Sequence, residues 1–177
     1  ASKGHGVASG IIIAECIKGN GHLRSLNLYG NDIGRGGPEG AIALAEAFAK
    51  MSSLTSVDLY GNDIGRGGPE GAIALAEVFA KMPNLTSVDL GYNALCGKDL
   101  YGRGTFTPAA VEKLCEVLPS TKISSLNLAS NYLTNGGTDM SAVYKLAEIL
   151  PSTSITSLNL AKNQLGSHGP EGAIALA

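Results

Sequence analysis

The chain has 177 residues, a formal net charge of −2 at pH 7 and a hydrophobic content of 44%, with three Phe, six Tyr and no Trp. This charge, without clustered Lys and Arg, argues against nucleic-acid binding. No apolar run reaches the roughly 20 residues that a membrane-spanning helix needs, and no signal peptide is evident. Composition therefore predicts a domain with an aliphatic core and with neither nucleic-acid nor membrane partners.

One sequence unit is repeated about five times. Residues 23–53 and 54–84 are identical at 25 of 31 aligned positions. Self-similarity at a fixed period of this length predicts a stack of repeats. We therefore expect a single domain over residues 1–177, with a partial repeat at 1–22, full repeats at 23–53, 54–84, 85–122 and 123–154, and a truncated repeat at 155–177.

The two ends of the chain fall inside repeats. Residues 1–22 align with 32–53, the helical half of a unit, and the last residues stop about two turns into a predicted helix. Stacked repeats need terminal units with a polar outer face, and neither end has one. The sequence thus predicts a fragment of a longer protein, or ends covered by further repeats or neighbouring chains.

The first half of each unit predicts a short strand. In the first full unit, Leu23, Leu26 and Leu28 are followed by Asn31 and Ile33, and the same spacing recurs in the four later units. Apolar and polar residues alternate around Leu26 and Leu28, which is typical of a strand with one buried face.

The second half of each unit predicts a helix. Pro38 and Glu39 suit the first helical turn, because proline needs no N–H partner there and a carboxylate favours the positive helix end. Ala41, Leu44 and Phe48 then follow at helical spacing and predict a buried stripe.

Strand, turn, helix and return to the next strand predict parallel strands joined by helical crossovers. Strands stack about 4.8 Å apart, whereas helices need roughly 8 to 10 Å. The helical side is therefore wider, and the predicted fold is an α/β solenoid, a curved horseshoe with a parallel sheet on the concave side and helices on the convex side. Five strands and six helices are expected.

The recurring pattern L-x-x-L-x-L-x-x-N-x-L, followed by a Gly-rich turn and an Ala- and Leu-rich helix, resembles the leucine-rich repeat. Units of 31 or 32 residues with full helices resemble the ribonuclease-inhibitor-like subclass. The resemblance implies a horseshoe whose concave sheet and adjoining loops bind protein, and it implies no particular partner.

The resemblance also implies a structural ladder formed by the Asn of each unit. An amide both donates and accepts, so it can pair with backbone groups that are left free where each strand turns away. The column consists of Asn31, Asn62, Asn93, Asn131 and Asn163.

The three cysteines favour a reducing, cytoplasmic setting, because their spacings fit neither a zinc site nor a disulfide framework. Cys16 aligns with Ala47 of the next unit, so we expect it to fill a small space in the packing. Cys96 lies in a predicted loop, where we expect an accessible thiol. Cys115 completes the set.

Nothing in the sequence predicts catalysis, a cofactor or a metal site. Gly34, Gly36 and Gly40 at a helix start mimic a dinucleotide-binding loop, but the next unit repeats the same glycines, and Pro38 removes one N–H from the helix end. His5, His22 and His168 share no column and do not predict converging metal ligands. We therefore expect a protein that is not an enzyme.

The exposed strand face is a candidate binding surface. Equivalent side chains of successive units line up there as columns. One column is Ser throughout, the second is Asn or Asp, and the third is Tyr in the first two units and Gly or Ala in the later ones. They either solvate the face, with Tyr29 stacked on Tyr60, or bind a partner that carries Lys or Arg. The candidate contact residues on this face are Asn27, Tyr29, Asp58, Tyr60 and Asp89.

The third unit carries an insertion after Asn93 that makes it 38 residues long. Insertions in repeat proteins map to loops on one face, often the binding face, although a longer surface loop is also tolerated at little cost. We favour a contact role, because the loop combines charge with aromatic area. Its candidate residues are Lys98, Tyr101, Arg103 and Phe106.

The sequence therefore predicts a non-catalytic scaffold that binds a partner protein through the concave strand face and the loop after Asn93. One alternative is a regulator of a small GTPase or another enzyme, as some ribonuclease-inhibitor-like repeat proteins are. A structural spacer in a larger assembly is the other alternative.

Overall fold

The computed structural model describes residues 5–99, 101–167, 169, 170 and 174. Strands and helices alternate along this part of the chain. The strands are β1 (Ser25–Asn27), β2 (Ser56–Asp58), β3 (Ser87–Asp89), β4 (Ser125–Asn127) and β5 (Ser157–Asn159). The helices are α1 (His5–Ile17), α2 (Glu39–Phe48), α3 (Glu70–Phe79), α4 (Ala109–Val117) and α5 (Ser141–Ile149).

The predicted sixth helix falls largely outside the described residues. Short 3-10 turns follow α4 and α5, where Pro119 and Pro151 interrupt the helical hydrogen bonding. A third 3-10 turn, Asn135–Gly137, lies in the loop between β4 and α5.

The five strands form one parallel sheet in the order β1-β2-β3-β4-β5. The register places equivalent residues of successive units side by side, so that Ser56 pairs with Ser25 and Ser87, and Asp58 pairs with Asp89. On the other side, each helix packs against the next one along the chain. The predicted α/β leucine-rich-repeat solenoid is confirmed.

The core is a continuous aliphatic layer between the sheet and the helices. In the second unit, Leu54 and Leu59 from the strand region and Leu75 and Phe79 from α3 are all at most 1% exposed. The equivalent residues of the neighbouring units join them in one cluster. Burial of these side chains supplies the main stabilisation of the stack.

Glycines in the turns allow successive units to approach closely. A Cβ at Gly34 would collide with the Cα of Ile64, and a Cβ at Gly65 would collide with the carbonyl oxygen of Ala94. These recurring glycines therefore have a packing role between units.

The Asn side chains connect neighbouring turns. Asn62 is fully buried, and its Oδ1 accepts from the backbone N–H of Asn31 (2.9 Å) and of Ile33 (3.4 Å). Its Nδ2 donates to the carbonyls of Leu28 (2.8 Å) and Leu59 (2.9 Å). The same arrangement recurs at Asn93, Asn131 and Asn163.

Both expectations about individual cysteines are wrong. Cys16 is exposed on α1, because no helix in the described part of the chain covers that face, whereas Ala47 lies between helices and is 3% exposed. Cys96 is fully buried in the core cluster, because the inserted loop begins after it and the N–H of Thr107 closes back onto its carbonyl (3.0 Å).

Candidate functional site

Three tyrosines form a stacked row on the strand face, at the carboxyl ends of β1, β2 and β3. The rings of Tyr29 and Tyr60 lie 5.4 Å apart with an interplanar angle of 10°, and those of Tyr60 and Tyr92 lie 5.9 Å apart at 20°. Tyr29 is 62% exposed and Tyr92 is 39% exposed. We call this row the tyrosine ladder.

Tyr92 joins the ladder from a different backbone position. The first two units read Tyr-Gly, as at Tyr60 and Gly61, whereas the third reads Gly91-Tyr92. Gly91 makes room for the ring of Tyr60, because a Cβ there would lie 2.7 Å from that ring. Tyr92 then occupies the turn position of Gly61 and has the same left-handed backbone, with φ of 56°.

A left-handed backbone is strained for a bulky side chain. Strain of this kind costs on the order of 1 kcal/mol or more and persists only where the surrounding structure holds it in place. Here the ring of Tyr92 is held against Tyr60, and the ladder thereby gains a third ring.

A column of Asn and Asp residues lies beside the ladder. In each unit a side-chain oxygen accepts the N–H two residues later, as between Asp58 and Tyr60 (3.0 Å) and between Asp89 and Gly91 (2.8 Å). The second oxygen of Asp89 accepts from Nδ2 of Asn127 (2.9 Å). The second oxygen of Asp58 has no hydrogen bond among the described residues, so it is available to a partner.

Asn27 fills the same column in the first unit and accepts from the N–H of Tyr29 at 2.8 Å. It lies exposed beside the outermost ring. Burial raises the pKa of Tyr60, and Tyr29 and Asp89 add to the effect. The phenol therefore remains a hydrogen-bond donor at any physiological pH.

The loop after Asn93 folds as a small hairpin around Asp99. Lys98 and Gly104 form an antiparallel bridge, and Oδ1 of Asp99 accepts from the N–H groups of Tyr101 (2.9 Å) and Arg103 (3.0 Å). The guanidinium of Arg103 holds the other oxygen of Asp99 at 2.8 Å. This guanidinium also lies 4.9 Å from the ring centroid of Tyr101.

Asp99 is the electrostatic centre of this loop. Partial burial alone would raise its pKa, but the hydrogen bonds from the backbone and guanidinium of Arg103 outweigh burial and hold the pKa below its usual range. Arg66 from the preceding unit approaches the same carboxylate at 3.7 Å and contacts Asp63 at 3.0 Å. These contacts close the hairpin around Asp99 and connect it to the preceding unit through Arg66.

The ladder and the hairpin meet at Tyr92. A shallow groove of about 310 Å³ runs along the ladder, and its lining is Tyr29, Gly30, Tyr60, Gly61 and Tyr92. A pocket of about 120 Å³, here called the loop pocket, adjoins it. The residues that line the loop pocket are Asp63, Arg66, Tyr92, Ala94, Asp99, Tyr101, Arg103 and Ser130.

Two candidate residues of the loop face other parts of the protein. Lys98 donates to Oδ1 of Asn135 (2.7 Å) and lies 5.6 Å from the ring centroid of Tyr132. Phe106 is partly buried and packs against the core. Both side chains therefore anchor the hairpin, and only Tyr101 and Arg103 of the four predicted loop residues line the loop pocket.

The sequence prediction missed Asp63, Arg66, Tyr92 and Asp99, all of which line the loop pocket. Arg66 has a counterpart in Arg35, which pairs with Asp32 (3.2 Å), so the repeated pair looked purely structural. Only the folded hairpin brings Asp99 next to Arg66. For Tyr92, the exchange of Tyr-Gly for Gly-Tyr in the third unit is a signal that the sequence carries.

The described part of the chain shows neither a candidate metal-binding cluster nor a helix that could span a membrane. No group of three or more His, Cys, Asp or Glu residues lies there in an arrangement that could hold a metal ion. His168 lies outside the described residues. Over the same part of the chain, no helix has the length and apolarity needed to cross a membrane.

The sequence and the fold are both similar to known repeat proteins. A family model described as Leucine Rich repeat matches residues 19–45, 50–76 and 152–177. The leucine-rich repeat-containing protein LegL7 from Legionella pneumophila has a similar solved structure, with a TM-score of 0.61 and 26% sequence identity. The match covers 95% of this chain and 47% of LegL7, so the chain spans about half the length of that protein. Curated protein sequences give no match.

Proposed function

Because the chain is a leucine-rich repeat protein, we propose that it is a non-catalytic scaffold that binds a partner protein through its concave strand face and the loop after Asn93. The leucine-rich-repeat fold commonly mediates protein–protein interaction. The proposed contact surface combines the tyrosine ladder, the acidic residues beside it and the loop pocket. The proposed setting is cytoplasmic.

The observation that carries this proposal is the exposed tyrosine ladder. Aromatic residues near the centre of a surface are common anchors of protein interfaces, because they bury a large area and lose few rotamers on binding. The left-handed backbone of Tyr92 recurs at this turn in the other units, at Gly30, Gly61, Ser130 and Lys162, so the repeat itself sets this conformation. The third unit differs in placing an aromatic ring there, and this ring extends the ladder.

The proposed partner is basic where it meets the ladder. Asp58 and Asp89 are neighbours across β2 and β3, and one oxygen of Asp58 is free to accept a hydrogen bond. Arg or Lys of a partner would pair with them beside an aromatic wall, a combination that favours guanidinium groups. We propose neither a nucleic acid nor a membrane as the ligand.

Tyr92→Gly tests the proposal without damaging the fold. Glycine is the residue at this turn position in the first two units, with φ of 67° at Gly30 and 70° at Gly61. Relief of strain opposes the loss of ring stacking, so we expect the free energy of unfolding to change by less than about 1 kcal/mol.

Partner binding is measured by quantitative affinity capture from the cells that express the protein. We expect native complexes to weaken at least tenfold with Tyr92→Gly, and further when Tyr29→Ala is added. Tyr144→Ala is the matched control, because Tyr144 is 49% exposed on α5, away from the ladder. Complexes that withstand both ladder substitutions would contradict the proposal and favour the structural-spacer alternative.

A further inference from the structure

The spacing of the tyrosine ladder matches the pitch of an α-helix. Successive ring centroids lie 5.4 and 5.9 Å apart along the direction in which the units stack. An α-helix rises about 5.4 Å per turn, so a helix lying across the strands presents one side chain to each ring in turn. Seven helical residues rise about 10.5 Å, so a side chain at i+7 stays within about 1 Å of the third ring when the rings lie in line.

Extended ligands match the ladder less well. Side chains on one face of a strand recur about every 6.7 Å, so a strand laid along the ladder is out of register by about 2 Å at the third ring. A polyproline helix repeats only about every 9 Å. The N–H groups of Leu28 and Leu59 next to the ladder already pair with Asp58 and Asp89 of the next strands and do not donate to an added strand.

The surroundings of the ladder add charge and space. Asp58 and Asp89 follow the ladder on one side at the same unit spacing, so they can meet basic residues on successive turns of a helix. At Gly30 a Cβ would have no neighbour within 4 Å, and at Gly61 its nearest neighbour would be Gly30 at 3.9 Å. The surface at these two glycines therefore carries no side chains, and side chains that extend from a helix have room to enter the groove of about 310 Å³.

We propose that the tyrosine ladder docks a basic amphipathic α-helix of a partner protein, laid across β1 to β3. Apolar residues at i, i+3 or i+4, and i+7 contact Tyr29, Tyr60 and Tyr92 in order. Lys or Arg residues one position away pair with Asp58 and Asp89. This inference rests on the proposed function and specifies the chemistry and secondary structure of the partner segment.

Two displayed peptide libraries of about 16 residues test the inference against the whole chain. One has an Ala- and Gln-rich helical scaffold with positions randomised on one face. The other has Pro at every third position, which enforces an extended conformation. Both are selected on the native protein and depleted on the Tyr29→Ala/Tyr92→Gly variant, so that only ladder-dependent peptides remain.

We expect the helical library to supply the surviving peptides, with apolar residues at helical spacing and Lys or Arg beside them. Their affinity should fall about tenfold with Asp58→Asn and on raising the salt from about 50 to about 500 mM. Asp58→Asn retains the fold, because Asn27 and Asn159 make the same hydrogen bond to the N–H two residues later (2.8 and 3.0 Å).

The inference is overturned if ladder-dependent peptides come only from the extended library, if helical binders ignore Asp58→Asn, or if neither library yields a ladder-dependent peptide. None of these results overturns the proposed function, which fails only if native complexes survive the ladder substitutions. The two failures are therefore distinguishable.

Discussion

Asn62 illustrates how much structure depends on one side chain in a repeat protein. Its amide binds two N–H groups of the preceding turn and two carbonyls, and three of these four hydrogen bonds are buried, while the one from the N–H of Asn31 is partly buried. Without the amide, the buried N–H of Ile33 would lose its acceptor, whereas the carbonyls of Leu28 and Leu59 would keep the bonds that they accept from Asn31 and Asn93.

We therefore expect Asn62→Ala to lower the free energy of unfolding by about 1 to 3 kcal/mol. Asn84→Ala is the control. Asn84 also links neighbouring units, through its bond to the carbonyl of Ser52 (2.9 Å), but it is exposed and water can replace it. Denaturant titration measures both variants, and equal midpoints would rule out a stabilising role for the buried column.

The cysteines differ in reactivity because only one of them is accessible. Burial raises the pKa of Cys96 to about 12 and that of Cys115 to about 12. The thiolate is the reactive form, so both buried thiols should stay inert at pH 8. Titration with an aromatic disulfide reagent should detect one fast thiol, Cys16, in the native protein and three after unfolding.

The same pKa values predict a loss of stability at high pH. Thiols of the unfolded chain ionise near pH 9, whereas Cys96 and Cys115 remain protonated in the native state up to about pH 12. The unfolded state therefore binds fewer protons within this window, and the free energy of unfolding falls as the pH rises through it. Substitution of both thiols by Ala should reduce this slope.

At the residue scale, the contacts of a side chain are easier to predict from the sequence when the same residue recurs at the same position of successive units. Tyr29 and Tyr60 occupy the same position in nearly identical units, and their stacking follows from the pairing of adjacent parallel strands. Tyr92 is displaced by one residue and stands at the turn position of Gly30 and Gly61, so its contact with Tyr60 does not follow from the Tyr column itself.

At the element scale, the inserted hairpin is an addition to the third unit that closes at its own base. Its base is closed by the bridge between Lys98 and Gly104 and by the bond from Thr107 to Cys96 (3.0 Å). Removal of residues 97–104 returns the unit to about the length of its neighbours. We expect the shortened chain to fold, with the circular dichroism spectrum and cooperative melting of the parent.

The two aromatic residues of the insertion should behave in opposite ways. Phe106 packs against the core, so Phe106→Ala should cost about 1 to 3 kcal/mol, less than a fully buried Phe. Tyr101 is 79% exposed, so Tyr101→Ala should leave the unfolding free energy nearly unchanged. Thermal denaturation separates the two, and a destabilised Tyr101→Ala variant would mean that the ring holds the hairpin in place.

Periodicity made the strands and helices predictable, because their apolar positions repeat at intervals of two and about 3.6 residues. The hairpin has no such periodicity. Its shape depends on Asp99, whose carboxylate forms ion pairs with Arg103 of the same loop and with Arg66 of another unit. The sequence therefore predicted that a loop exists there, and it could not predict that Lys98 and Phe106 face inward while Tyr101 and Arg103 face a pocket.

At the scale of the whole molecule, stability comes from contacts between neighbouring units. In the described part of the chain, each helix packs against the next one in sequence, and each strand pairs with the next one. In such a stack, stability is approximately a sum of unit and nearest-neighbour terms, so equivalent substitutions should have different costs at different places.

Leu59 and Leu160 provide a matched pair for testing this. They hold the same position in their units, but Leu59 is fully buried between neighbours, whereas Leu160 is only partly buried at the last strand. We expect Leu59→Ala to cost about 2 to 5 kcal/mol, since it leaves a cavity in the middle of the core, and Leu160→Ala to cost much less. Denaturant unfolding of the 177-residue chain measures both. Equal losses of unfolding free energy in the two variants would mean that the contacts of a unit with its neighbours do not affect its stability. That result would contradict the nearest-neighbour description.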